Sequence, residues 1–231
     1  MDFTYDEIAG MIDHSLLVPF LTDRDLEAGC RLAVEYGVAT VCALPYYLSR
    51  CTDLLAGSGV APTTTIGFPH GANTTAVKVA ETERALADGA REVDLVVNIS
   101  KVLSDDWGYV RDDVGAVVDA AHAGGAKAKV IFENCYLETE HKKRLCRLCG
   151  EVGADWAKTS TGFGTGGATL GDLQLMREHC PPQVQIKAAG GIRSLDALLD
   201  VRALGADRVG ASRTKDILDE CRRRLEVHAA R

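Results

Sequence analysis

Two lysines in this chain sit where a merely solvated cation has no need to be. Lys158 follows an apolar run in "GADWAKTSTGFGTGGAT" (153–169) and precedes a glycine-rich loop, and Lys187 lies inside "VQIKAAGG" (184–191). Three carboxylates occupy comparable settings: Asp94 in "EVDLVVN", Glu133 at the end of "KVIFE" and Asp13 in "MIDHSLL". A charged side chain inside an apolar strand demands a partner or a purpose, because burying it alone is costly. A free lysine has a pKa of about 10.4, so at pH 7 only ~0.04% is neutral amine. Lowering that value to ~7 takes roughly 4.6 kcal/mol. A second ammonium ~6 Å away, at an effective dielectric of 20, supplies about 2.8 kcal/mol, and desolvation can supply the rest. A lysine so tuned attacks a carbonyl and forms a Schiff base, whose protonated imine draws electrons from the adjacent carbon. A carboxylate or the second lysine then moves a proton, and the enamine attacks an aldehyde. That is metal-free aldol chemistry. The opposing reading pairs each lysine with an acid as a brace; two lysines with two or three acids at strand ends make it the weaker one.

These groups need a scaffold that brings strand ends together. Eight β-rich runs recur, at 11–17, 39–45, 62–68, 92–98, 126–133, 154–160, 184–190 and 206–212, with helix signals in most of the gaps. The amphipathic stretch "TAVKVAETERALADGA" closes on Gly89, and Thr169 with Asp172 offers capping chemistry to "GDLQLMREH". Strands alternating with helices imply a parallel sheet, and eight such units imply a closed (β/α)8 TIM barrel over residues 1–231 in the α/β class. The run at 11–17 is the weakest strand. In such a barrel one parity of each strand points inward and reactive groups gather at the C-terminal strand ends. Lys158 then shares a face with Trp156 and Ser160, and Lys187 with Gln185 and Ala189, on neighbouring strands.

Three glycine-containing loops follow the last three strands: "TGFGTGG" (161–167), "GG" (190–191) and "GAS" (210–212). Glycine lets backbone N–H groups approach an anion closely, and barrels commonly bind phosphate near their last two strands. Ser212 adds a hydroxyl, and Arg193 and Arg213 add charge. One glycine run is only a tight turn; three in these places point to a phosphorylated sugar or aldehyde as the small-molecule partner.

The totals exclude other classes. The chain has 231 residues, 46% hydrophobic and 26% charged, with a net charge of −7, which disfavours a nucleic-acid surface. No apolar run approaches a membrane span, and "MDFTYDEIAG" shows no signal peptide, so a cytoplasmic location is expected. Free thiols are expected for all eight cysteines, including the lone C-x-x-C pair Cys146 and Cys149, which lacks a second ligand pair for a structural zinc. No two of the six histidines form an H-x-H or H-x-x-x-H pair, and His70 in "GFPHGAN" fits a turn better than a ligand. No metal and no cofactor are called for.

The stretches "IDHSLL", "TIGFPHGANTTAVKVAE", "GAREVDLVVN", "KVIFE", "GADWAKTSTGFGTGGAT" and "KAAGGIR" resemble the deoxyribose-phosphate aldolase family from about residue 7 to 220. The resemblance implies a class I aldolase on a (β/α)8 barrel that reversibly joins acetaldehyde to glyceraldehyde 3-phosphate, giving 2-deoxy-D-ribose 5-phosphate. It makes Lys158 the Schiff-base lysine, Lys187 the lysine that tunes it and Asp94 the proton-relay carboxylate, with Asp13 hydrogen-bonded in that relay. Gly162, Gly190, Gly191, Gly210 and Ser212 would line the phosphate pocket, and a homo-oligomer is compatible with it. The chain departs from many members at Ser15, where they have threonine, at Val18, where they have lysine, and at Arg213, where they have a second serine. Arg213 would either grip phosphate or point outward, and the acceptor aldehyde is left open. Three other readings stand beside the deoxyribose-phosphate one: a Schiff-base aldolase with another acceptor, a sugar-phosphate isomerase using Glu133 as base, and a non-catalytic phosphosugar-binding barrel.

Overall fold

Short runs rich in valine, isoleucine, threonine and alanine form eight strands: β1 (Ile12–Leu16), β2 (Thr40–Ala43), β3 (Ala61–Ile66), β4 (Glu92–Val96), β5 (Lys127–Ile131), β6 (Trp156–Lys158), β7 (Gln185–Ala189) and β8 (Arg208–Ala211). Every neighbouring pair is parallel, and β1 pairs with β8 through Ile12–Val209, Asp13–Gly210 and His14–Ala211, which closes the barrel in chain order. All eight expected strands are present, the weakest of them as β1. The computed structural model describes residues 3–229, so the first two and last two positions of the expected 1–231 span lie outside the described residues.

The helices between and around the strands are α1 (Tyr5–Ala9), α2 (Asp23–Tyr36), α3 (Leu48–Leu55), α4 (Thr75–Ala87), α5 (Ile99–Leu103), α6 (Trp107–Ala123), α7 (Thr139–Glu151), α8 (Leu170–His179), α9 (Leu195–Ala203) and α10 (Thr214–Ala229). Their ends are written in the sequence. Thr22 and Asp25 cap α2 reciprocally, and the Asp172 amide donates to the Thr169 hydroxyl at the start of α8 (3.1 Å). Alternation divides each strand between two environments. Val93 and Leu95 of β4, Val130 of β5, Ile186 of β7 and Val209 of β8 join helical residues such as Val114, Val117, Leu198 and Ile217 in one apolar core. Each such side chain contributes about 1.5–3 kcal/mol on burial. The alternate residues, Asp94, Lys129 and Lys187 among them, meet one another across the barrel axis.

Among the described residues the helical layer holds one buried ion pair. Lys78 of α4 places Nζ 2.6 Å from Asp113 Oδ2 of α6 and donates to the Val96 carbonyl of β4 (2.9 Å); Thr75 donates to the other Asp113 oxygen (2.8 Å). All eight cysteines are free thiols, and Cys146 and Cys149 are buried on α7.

Candidate active site

Six of the eight strands contribute charge to the barrel interior. Lys158 and Lys187 are register partners on β6 and β7. Lys158 donates to Asp94 Oδ2 (2.6 Å), and Lys187 donates to that same oxygen (2.7 Å). The two nitrogens are therefore neighbours, no farther apart than those two distances laid end to end. Lys187 also pairs with Asp13 Oδ2 at 2.5 Å. Lys129 of β5 donates to Asp94 Oδ1 (2.9 Å), lies 3.6 Å from Asp13 Oδ2 and pairs closely with Glu92. Arg208 of β8 spans Asp13 Oδ1 (2.5 Å) and Glu92 Oε1 (3.1 Å).

The lysines differ in how they hold protons. Burial is the largest influence lowering Lys158; the Asp94 carboxylate opposes it, the Lys187 charge reinforces it, and the outcome lies below the ordinary lysine value. Burial also acts to lower Lys187, but Asp13 and Asp94 together outweigh it and hold its proton more tightly than in water. Burial pushes Asp94 up, and Lys129, Lys158 and Lys187 more than reverse this, so its carboxyl stays ionised well below the usual range. Asp13 is held low in the same way by Lys187, Lys129 and Arg208 against its own desolvation. Sequence reasoning assigned the larger share of the tuning to the neighbouring ammonium. The structure reverses that order: desolvation leads and repulsion follows, because Lys158 is only 3% exposed while Asp94 stands between the two cations.

Lys158 is exposed only to a cavity of about 220 Å³ at the C-terminal end of the barrel. Gly162, Gly190, Gly191, Gly210 and Ser212 line it, as do Arg193 and Val18. The loops after β6 and β7 touch. A side-chain carbon at Gly167 would fall 2.3 Å from the Gly190 carbonyl oxygen, and the Ala168 amide donates to the carbonyls of both Ala189 and Gly190 (3.0 Å each). Gly190 and Gly191 have φ of +85° and +89°, a region L side chains enter only with strain. A larger apolar groove of about 480 Å³, lined by Leu48, Ile66, Val77 and Ala80, lies outside the barrel and holds no lysine.

A family model described as DeoC/LacD family aldolase matches residues 8–217. The chain belongs to the DeoC/LacD aldolase family. It is 59% identical to the deoxyribose-phosphate aldolase of Rhodopirellula baltica over 99% of this chain and 95% of the relative. It is 48% identical to that of Thermococcus kodakarensis over 89% and 93%. A crystal structure of a putative deoxyribose-phosphate aldolase from Coccidioides immitis superposes with a TM-score of 0.91 at 37% identity, covering 95% of this chain and 87% of that one. A deoxyribose phosphate aldolase from Aeropyrum pernix, described as having a unique tetrameric structure, superposes at 0.88 with 31% identity over 94% and 92%.

Within this family member, the expected site residues divide. Lys158, Lys187, Asp94 and Asp13 converge in the interior, and the four glycines and Ser212 meet at the cavity. Arg213 does not join them: it is exposed and pairs with Asp216 one turn along α10 (3.2 Å). Glu133 does not face the cavity either. It holds the β6–α8 loop, accepting from the Thr161 amide (3.2 Å) and closely from the Thr161 hydroxyl. His70 is exposed and lies outside the cavity wall. Sequence reasoning missed Lys129, Glu92 and Arg208. Each was visible as a charged residue within an expected strand, and Glu92 shares the parity of Asp94. Among the described residues no helix is long and apolar enough to cross a membrane.

Proposed function

We propose that this protein reversibly cleaves 2-deoxy-D-ribose 5-phosphate to glyceraldehyde 3-phosphate and acetaldehyde through a Schiff base on Lys158. The observation that carries the reading is one carboxylate oxygen, Asp94 Oδ2, shared by two buried ammonium sites of which only Lys158 opens on a cavity. The Lys158 amine adds to the C1 aldehyde, and loss of water leaves a protonated imine. A base takes the proton of the C3 hydroxyl, the C2–C3 electrons move into the imine, and glyceraldehyde 3-phosphate departs. The remaining enamine takes a proton at C2, and water releases acetaldehyde and the free amine. Asp94, ionised and bound to both lysines, and Lys187, which keeps its proton, form the relay that hands protons on and off, with Asp13 holding Lys187 in place. Gly162, Gly190, Gly191, Gly210 and Ser212 hold the phosphate, and Arg193 adds charge at the same wall. Of the two placements the sequence left open for Arg213, gripping phosphate or pointing outward, its pairing with Asp216 supports the second.

Acetaldehyde with borohydride should leave an ethyl group on Lys158, located by peptide mapping. An unlabelled Lys158 beside a labelled surface lysine would defeat the reading. Val18 places an apolar side chain in the cavity wall, which favours a second reading of the acceptor: the same Schiff base serving an aldehyde without phosphate. Rates on glyceraldehyde 3-phosphate and on glyceraldehyde separate the two, since equal rates support the second.

A further inference from the structure

We propose that Arg208, together with Glu92, governs the proton on Lys158 from the far end of the barrel, as a positioning pair for the reaction that never touches substrate. The inference rests on Lys158 being the reacting amine. Neither residue lines the cavity; Arg208 and Glu92 are the first residues of β8 and β4, at the N-terminal end. Their influence is one of charge balance. Three buried bases, Lys129, Lys158 and Lys187, and Arg208, whose side chain is 16% exposed at the N-terminal end, meet three acids, Asp13, Glu92 and Asp94. An uncompensated buried charge is costly, and releasing one proton removes it.

Which base gives up the proton follows from its partners. A guanidinium does not deprotonate in a protein. Arg208 bridges Asp13 and Glu92 and lies over the Trp156 ring (5.2 Å), so its charge is fixed. Lys129 meets three acids and Lys187 two. Lys158 has only a share of Asp94 Oδ2, the oxygen Lys187 also uses. By occupying Asp13 and Glu92, Arg208 draws off negative charge that would otherwise let Lys158 stay protonated.

The remaining groups around the set leave this count unchanged. Cys42 of β2 is pushed up to about 11, by burial first and then by Asp94, and stays a neutral thiol. The buried side chains of β3 here are Thr63 and Thr65. Around the N-terminal end, Lys127 is exposed and lies over the Trp156 ring (5.1 Å), and Glu7 pairs with Arg202 (3.5 Å). Asp155 pairs with His122 (2.9 Å) and Asp207 accepts from the Ile186 amide (2.9 Å), so both are engaged outside the set.

The test is the pH profile of acetaldehyde–borohydride trapping on Lys158, compared between the intact chain and its variants under identical conditions, so that the reagent's own pH dependence cancels. Arg208→Gln should move the midpoint up by about one pH unit, the effect of one unit charge ~10 Å away at an effective dielectric near 20. At any pH below both midpoints its labelling rate falls about tenfold. Arg208→Lys, which keeps the charge, should return the midpoint to its original place. Glu92→Gln removes an acid instead and should move the midpoint down. Unmoved midpoints in Arg208→Gln and Glu92→Gln, or shifts in the same direction, overturn the proposal even if both variants lose stability. If Arg208→Gln does not fold, the sign for Glu92→Gln decides: a fall supports the proposal, and no change or a rise overturns it. If the unsubstituted chain takes no label on Lys158, the Schiff-base reading itself fails, an outcome distinct from a labelled chain with a fixed midpoint.

Discussion

Lys78 and Lys158 are both hidden from solvent, one between the barrel wall and the helices, the other inside the barrel. Among the described residues Lys78 is the one cation paired with Asp113; it has a backbone carbonyl as second acceptor and no part in the wall of either cavity. Lys158 shares its acid with Lys187 and ends at a cavity. Burial is common to both, so burial alone does not make a lysine reactive. A private acid turns the cation into a pin between α4 and α6. A contested acid, with an opening for a carbonyl, leaves an amine that can form bonds.

The largest expected effect tests the reactive side of this contrast. Lys158→Met should lower carbon–carbon bond cleavage roughly 10⁴-fold or more, while the thermal midpoint holds or rises because a poorly compensated buried base is removed. Retained turnover would erase the distinction between the two lysines. Next comes the structural side. Lys78→Met should cost about 3–5 kcal/mol in urea unfolding, since Asp113 is left buried and unpaired, with turnover per folded molecule unchanged. Adding Asp113→Leu should recover most of that loss. Stability that survives Lys78→Met while activity falls would invert the comparison.

The third test concerns pH. Lys187 disfavours the charged form of Lys158, so Lys187→Leu should let Lys158 hold its proton to higher pH. The midpoint for trapping should climb by about two units, the effect of a unit charge ~5 Å away at a dielectric near 20. A midpoint that stays or falls would assign the whole shift to desolvation. The smallest effects lie at the rim. Ser212→Ala should raise KM for a phosphorylated substrate about fivefold, as one hydrogen bond of ~1 kcal/mol is lost. Arg213→Ala, measured alongside, should stay within about twofold, because its partner is Asp216 and surface pairs contribute little.

The barrel and the two reacting lysines were legible in the sequence because they lie on strong periodic signals. A charge in an apolar strand, followed by glycines, marks a C-terminal strand end that must face a mouth. Lys129 was harder to see. It shares its parity with Lys127, which is exposed at the start of β5, so parity does not distinguish the buried lysine from the solvated one. Arg208 and Glu92 sit at strand starts, where sequence offers no sign that side chains from β4 and β8 will meet across the axis. Arg213 is adjacent to a residue of the cavity, yet α10 begins at Thr214, and that helix start turns its side chain toward Asp216. Glu133 carried the right chemistry in the right place, but the short connection after β5 aims it at Thr161.

The abutting backbones at Gly167 and Gly190 bear on how fast a ligand comes and goes. Two loops latched to each other during folding have no separate shut position to reach. An anion settling at the Gly162, Gly190 and Gly191 wall beside this contact meets backbone whose freedom was surrendered when the chain folded, so little ordering entropy is charged to the encounter. A single methyl group at Gly167 would wedge the loops apart and loosen this grip without touching the amine chemistry below.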